Sequence, residues 1–437
     1  MNRKTFIKNS ALLTSAGLML PGFSSLKKAN SIIGSNNTVN IGTIGVNSMG
    51  WWNTKSLLRI PNVNLTAICD VDARVLQKRK TEMDNQGIKV KTFSDYRKLL
   101  EEKDVDAVVI GTPDHWHALM MIHASQAGKH VYCEKPIGNS IGECSMMVNA
   151  QRRYGNIVQV GQWQRSQKHF QDAVNYLKTG IIGPIRTVKT WCYFGSVKPK
   201  PIVPNSIPPK ELDYKRWLGP AKKRPFNSSR LHFDFRWFWD YAGGLMTDWG
   251  VHLIDFALLG MQDSFPKTVV SLGGKFAYPN LAQETPDTLT ALYEFDKFNL
   301  IWDSAMGIDN GPYGKSHGIA YIGDYATLIL NRNGWEVVEE KGNDKKVAKP
   351  FIAASDNGLD KHTQNFIKAI RSNDSSKLKC TIKDGETVAT VAQMGNISYR
   401  SGKKLHWNSL KNKFSDNSIN SKFLTSKYHN GYDLKLT

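Results

Sequence analysis

The feature that most constrains this chain is a glycine-bounded turn, Gly45-Val46-Asn47-Ser48-Met49-Gly50, between an apolar run and a helical segment. Val39-Asn40-Ile41-Gly42-Thr43-Ile44 reads as a buried strand that ends at Gly45, and residues 51–59 read as a helix. Glycines at such a junction allow a tight turn and let a pyrophosphate approach the helix N-terminus, where free N–H groups and the dipole favour anions. Asn47 stands where a middle glycine is usual, and Asn is among the non-glycine residues that best tolerate a positive φ. Gly45, Asn47, Ser48, Met49 and Gly50 are therefore candidate cofactor-binding residues. Asp70 follows 25 residues after Gly45, at the end of a second strand, residues 63–69. A carboxylate there hydrogen-bonds ribose hydroxyls and repels a 2′-phosphate, which favours NAD over NADP.

Strands continue to alternate with helices up to about residue 162. Helices are expected at 74–85, 96–102, 117–127 and 141–154, with strands at 90–93, 107–110, 129–133 and 157–160. That alternation implies βαβ units on a parallel, doubly wound sheet, an α/β Rossmann domain spanning 38–162. Beyond it the pattern changes. A helix at 169–178 and a strand at 185–193 precede a Pro/Lys-rich loop, 196–225, then a helix at 245–259. Long period-two strands such as 288–295 and 326–330 follow, and 362–371 and 385–399 read as closing helices. Residues 163–407 are thus expected to form an α+β domain with an open, mostly antiparallel sheet, trailed by a polar tail at 408–437.

A net charge of +20 raises the question of nucleic acid. The lysines are scattered, however, and no basic stripe interleaves with aromatics, so nucleic-acid binding is not expected. A generally cationic surface suited to acidic glycans or an anionic envelope accounts for the charge. The five cysteines are too few and too spread for a disulfide framework or a zinc site, and are read as small buried hydrophobes. At the N-terminus, Arg3, Lys4 and Lys8 precede a short apolar stretch to Leu20, broken by Pro21-Gly22. That stretch is too short to span a bilayer. It resembles a twin-arginine export signal with Lys4 in place of the second arginine, and implies a periplasmic or exported protein; a cytoplasmic enzyme with an N-terminal tail is the alternative.

Three further segments carry candidate chemistry. Gly111-Thr112-Pro113-Asp114-His115-Trp116-His117 follows an apolar strand, and loops at the carboxyl ends of parallel strands are where dinucleotides sit. Thr112, Pro113, His115, Trp116 and His117 join the cofactor set; no metal is expected, because the histidines lack a nearby thiolate or third histidine at ligand spacing. Glu134-Lys135-Pro136 follows the next strand. Lys135 can face the cofactor, hydrogen-bond a substrate hydroxyl and lower its pKa, or be an ordinary surface lysine. In Asp240-Tyr241-Ala242-Gly243-Gly244-Leu245-Met246-Thr247-Asp248-Trp249-Gly250-Val251-His252, residues Asp248 and His252 are four apart on one helical face. A carboxylate beside a histidine raises the imidazole pKa and orients it for acid–base work; a core histidine is the alternative. Glu134 and Gln162 complete the cofactor set. Arg165, Trp237 and Tyr241 are expected at the substrate, Trp237 because aromatic faces can stack on a sugar ring.

Taken together and in this order, these segments resemble the Gfo/Idh/MocA oxidoreductase family over about residues 39–407. The resemblance implies hydride transfer between a sugar or polyol hydroxyl and NAD, with Lys135, Asp248 and His252 in proton-relay and substrate-orienting roles. It also implies a homo-oligomer, dimer or tetramer, built through the second sheet. A branch of similar proteins comprises NAD-dependent, redox-neutral glycosidases, and a non-catalytic sugar- or cofactor-binding protein is the third reading.

Overall fold

Ala107–Ile110, four apolar residues buried without exception, run down the middle of the first sheet. In this computed structural model, which describes residues 37–342 and 345–436, they form β4. Around it lie β1 (Val39–Ile44), β2 (Val63–Cys69), β3 (Lys91–Phe93), β5 (His130–Cys133) and β6 (Val158–Val160), all parallel, in the order β3-β2-β1-β4-β5-β6. Strand order reverses between β1 and β4, so their connections leave in opposite directions and open a crevice at the carboxyl ends of the strands. The helices α1 (Ser48–Leu58), α2 (Ala73–Asp84), α3 (Tyr96–Leu100), α4 (His117–Gln126) and α5 (Ile141–Tyr154) connect these strands. The apolar residues of α1 and of α3 to α5 fall into separate core clusters, as expected for helices on both faces of a sheet.

After α6 (Lys168–Lys178), strand β7 (Ile185–Phe194) enters a second sheet of ten strands. Its other members are β8 (Thr268–Gly274), β9 (Thr288–Glu294), β10 (Asn299–Met306), β11 (His317–Gly323), β12 (Ala326–Asn331), β13 (Gly334–Glu339), β14 (Lys349–Ala353), β15 (Leu405–Asn408) and β16 (Lys413–Phe414). Only β7 and β10 pair in parallel; the other pairs are antiparallel. In β9 the alternation puts Leu289, Ala291 and Tyr293 inward, while Thr290, Leu292 and Glu294 face out. The inner face is covered by α6, α8 (Val251–Met261) and α10 (Ile382–Ser401), through Phe170, Phe256 and Met394 among others.

The segment 196–225, expected as loop throughout, contains a short helix α7 (Tyr214–Leu218). Asp213 caps it through Arg216 N–H, and Gly219, at φ 49, stops it. The helix expected at 245–259 begins instead with a π-helical turn, Met246–Gly250, before α8. Helix α9 (Gly358–Arg371) returns to the first sheet, where Phe366, Ile367 and Ile370 join the core around Val39 and Ile41. Cys380 and Ile382, at the start of α10, join the core on the opposite face. The tail also packs: Tyr428 Oη donates to buried Glu143 at 2.9 Å, and Asn430 Nδ2 donates to the carbonyls of Gly219 and Ala221. Residues 1–36, which include the expected export signal, lie outside the described residues. Among the described residues no helix is long and apolar enough to cross a membrane.

Candidate active site

The crevice is a cavity of about 680 Å³ that runs from the Gly45 turn to the β12 end of the second sheet. Gly45 at φ 81 starts the turn, and a Cβ on Gly50 would sit 2.0 Å from the Gly45 carbonyl oxygen, so only glycine lets α1 begin this close to β1. Gly50 therefore packs the turn and does not line the cavity. Asn47 was expected to take the left-handed conformation. It is extended (φ −98), and Ser48 carries the positive φ of 42. The reason is capping: the Asn47 side chain accepts from Ser48 N–H at 3.0 Å, which requires extended backbone at the cap. No acidic side chain occupies the first turn of α1, so its amide dipole faces the cavity beside Asn47, Ser48 and Met49 uncompensated.

At the end of β2 the Asp70 carboxylate accepts from Val46 N–H and Asp72 N–H, both at 3.0 Å. It thereby holds the glycine turn while lining the cavity. Burial pushes its pKa up, and the two backbone donors oppose the shift. The turn after β4 supplies Thr112, Pro113, Asp114, Trp116 and His117 to the wall. His117 bridges two turns, with Nδ1 2.7 Å from the Pro136 carbonyl and Nε2 2.8 Å from that of Thr112. His115 is buried outside the lining, with Nε2 3.2 Å from the Trp217 carbonyl. Trp116 donates from Nε1 to the same carbonyl and packs edge-on against Tyr432 of the tail at 5.3 Å, which places the tail at the cavity lip.

The reacting end is charged. Lys135 Nζ donates to Asp248 Oδ1 at 2.8 Å and to the Asp248 carbonyl at 2.9 Å, and Arg236 Nε lies 3.1 Å from the same Oδ1. Burial disfavours the Asp248 charge, but the two cations outweigh it and hold the carboxyl well below the usual carboxylate range. Beneath them, buried Glu134 accepts from Asn53 Nδ2 at 2.7 Å and from Lys135 N–H at 3.2 Å. Asp114 is pushed up to about 8 by burial, only partly offset by Lys135 and Arg236, so it is largely protonated at neutral pH.

His252 lines the same end, packed edge-on between Trp163 and Trp249. The expectation that a neighbouring carboxylate would raise its pKa does not hold. Burial first, then Lys135 and Arg332, push it well below the ordinary value, because the Asp248 charge is already shared by two cations. The ring is neutral at pH 7, and its Nδ1 is buried with no hydrogen-bond partner.

The remaining expected residues lie off the cavity. Gln162 donates from Nε2 to the Val251 carbonyl at 3.0 Å. Arg165, expected at the substrate, is consumed by an ion pair to Asp255 at 2.6 Å and a second to Asp384. Trp237 and Tyr241 are fully buried in the core of the second domain, which has first claim on large rings. Conversely, Arg236, Trp249, Trp163 and Arg332 line the cavity. Arg236, Trp249 and Trp163 flank positions the sequence points to, whereas Arg332 arrives from a distant element and leaves no local signal.

The profile described as "Oxidoreductase family, NAD-binding Rossmann fold" matches residues 39–162, and that of "Oxidoreductase family, C-terminal alpha/beta domain" matches residues 183–275. The chain belongs to the Gfo/Idh/MocA oxidoreductase family. An uncharacterized oxidoreductase, YrbE, of Bacillus subtilis (strain 168) is 26% identical over 368 residues, 83% of this chain and 94% of the relative. Inositol 2-dehydrogenase of Salmonella typhimurium is 28% identical over 186 residues, 41% of this chain and 54% of that one. A glycosyl hydrolase family 109 protein of Shewanella pealeana is 28% identical over 204 residues, 42% and 44% respectively. The chain thus spans about half the length of the latter two. Levoglucosan dehydrogenase solved with NADH shares the fold, with a TM-score of 0.66 at 18% identity over 84% of this chain and 98% of that one. The cofactor of this Gfo/Idh/MocA member is NAD, and the cavity fits it: an uncompensated helix N-terminus for the pyrophosphate, and Asp70 for the ribose.

Proposed function

We propose that this chain oxidises or reduces a ring hydroxyl of a carbohydrate with NAD. The observation that carries the reading is the meeting of Lys135, Asp248 and His252 in the cavity that begins at the Gly45 turn. NAD, when bound, takes up or returns the two electrons and the hydrogen of the reacting carbon. The Lys135 ammonium donates to the reacting oxygen and stabilises the negative charge that develops there. Asp248 fixes that ammonium and balances it. Neutral His252 offers a ring lone pair to the hydroxyl proton, and its position between Trp163 and Trp249 sets the direction of approach. The similarity to inositol 2-dehydrogenase supports a polyol or sugar substrate.

A second reading, redox-neutral glycoside cleavage with recycled NAD, is favoured by the family 109 relative and by Tyr432, which packs on Trp116 and brings the C-terminal tail into the cavity wall. Incubation of the purified protein with nitrophenyl glycosides and with free sugars separates the two. Stoichiometric NADH formation supports the dehydrogenase, and aglycone release without added NAD supports the glycosidase. Absence of both under all conditions leaves a binding protein and ends the enzymatic reading. The outward Leu272, Leu292 and Val338, exposed on the open sheet, support a homo-oligomer through that face, which sedimentation tests. The basic, apolar N-terminus supports export, which fractionation of the native host tests.

A further inference from the structure

Arg332 follows β12 and lines the end of the cavity that holds His252. Its guanidinium carbon lies 4.3 Å from the ring centre of Trp249 and 5.0 Å from that of Trp163. Nε is buried with no partner, and among the described residues no carboxylate or carbonyl hydrogen-bonds to any nitrogen of this side chain. Cation–π contact with two indoles holds the group in place but donates nothing to its N–H edge. Arg165, Arg236 and Arg230, by contrast, find an acid or a carbonyl: Arg165 pairs with Asp255, Arg236 with Asp248, and Arg230 donates to the Pro225 carbonyl.

The neighbours do not supply the missing charge. Asp248, the one carboxylate acting appreciably on Arg332, is engaged by Lys135 and Arg236. Asp114, in the same cavity, is largely protonated at neutral pH. His252 and His317 on adjoining elements are neutral at that pH, and His317 Nε2 is a second enclosed nitrogen without a partner. Burial lowers the Arg332 pKa to about 10, so it stays cationic throughout the working range. Lys135, Arg236 and Arg332 thus outnumber the carboxylates Asp248 and Glu134 at the reacting end, and a buried, unpaired charge is stable only when something of opposite sign completes it.

We infer that Arg332, clamped between Trp163 and Trp249, is a subsite for a negatively charged substituent, and that the substrate is an anionic carbohydrate bearing a carboxylate or a sulfate ester. Both indole rings lie within cation–π distance of the guanidinium, which lines the cavity, and arginine binds planar or tetrahedral oxyanions bidentately. The inference rests on the carbohydrate reading of the cavity.

Calorimetry on NADH-loaded protein tests it. The titrants are the methyl glycosides of glucuronic, galacturonic and mannuronic acid, the matched neutral hexosides, and the hexoside 6-sulfates. An anionic member of the panel is expected to bind roughly 10- to 100-fold more tightly than its neutral counterpart, the value of one charged hydrogen-bonded contact. Arg332→Gln should erase that difference with NADH affinity unchanged, and Arg332→Lys should keep part of it; the uronate and sulfate arms tell which oxyanion is preferred. If Arg332→Gln fails to fold, Arg332→Lys and the salt dependence of the wild-type preference carry the test. Neutral sugars bound as tightly as their anionic counterparts, no anionic member bound at millimolar concentration, or a preference indifferent to Arg332 overturns it. Because NADH formation is not the readout, failure of the hydride-transfer reading leaves a measured charge preference standing, and the converse.

Discussion

Lys135 Nζ lies 2.8 Å from Asp248 Oδ1 and 2.9 Å from the Asp248 carbonyl, so one ammonium joins the last strands of the first domain to the π-helical turn of the second. Both side chains are largely buried. Lys135→Met should lower kcat by ~10²–10⁴-fold by removing the group that stabilises the reacting oxygen. It should also destabilise the fold by about 3–5 kcal/mol, as breaking a buried pair does. Adding Asp248→Asn should lower the melting temperature further, because it leaves Arg236 unpaired, and should recover none of the activity. Wild-type turnover in folded Lys135→Met would assign the pair to structure alone.

His252→Ala should cost ~10²–10⁴-fold in kcat while the Kd for NADH stays nearly constant, since the cofactor turn lies in the other domain. A histidine that only fills space between Trp163 and Trp249 predicts a lower Tm with turnover intact. Both quantities are measured on one preparation.

Asp70→Ser should weaken NAD binding by about 1.5–3 kcal/mol and narrow the discrimination against NADP. The loss has two sources, the ribose contact and the grip of the carboxylate on Val46 N–H. Titration with both cofactors checks it; a native preference for NADP would contradict the assignment.

Asp114 gives a pH signature. Its carboxyl is pushed up to about 8 in the folded protein, above the unfolded value near ~3.9. The stability it contributes is therefore fully present below the unfolded pKa and is lost as pH rises through about 8. Thermal melts across that range should show a decline in wild type that Asp114→Asn flattens.

Truncation after Thr425 removes the Tyr428 donor from Glu143 and the Tyr432 ring from Trp116. An aromatic pair and a buried hydrogen bond together are worth about 1.5–3 kcal/mol of folding stability, so the truncated protein should melt at a lower temperature than the full chain. Thermal melts of the two proteins measure it.

Much of this protein was legible in its sequence, where short-range chemistry decides. Residues 39–44, 63–69, 107–110 and 141–154 are bounded as read, because apolar runs there meet Gly, Asp or Ser caps. The glycine turn, Asp70 and Lys135 are legible because each follows a strand whose carboxyl end faces the crevice, and Asp248 and His252 because their spacing puts both on one helical face. The left-handed residue of the turn was misplaced, since Asn47 spends its side chain on capping and Ser48 bends instead.

Tertiary structure decided what depends on encounters between distant segments. Arg165 and Arg332 look alike as isolated basic residues, yet Asp255 neutralises one and two tryptophans leave the other bare in the cavity. Trp237 and Tyr241 went to the core, and Trp163 and Trp249 to the site, by packing that no local pattern encodes. The protonation of His252 was decided in the same way. Adjacency to Asp248 is written in the sequence, but burial and the cations that claim that carboxylate first exist only in the folded chain, and they reverse the sign of the shift.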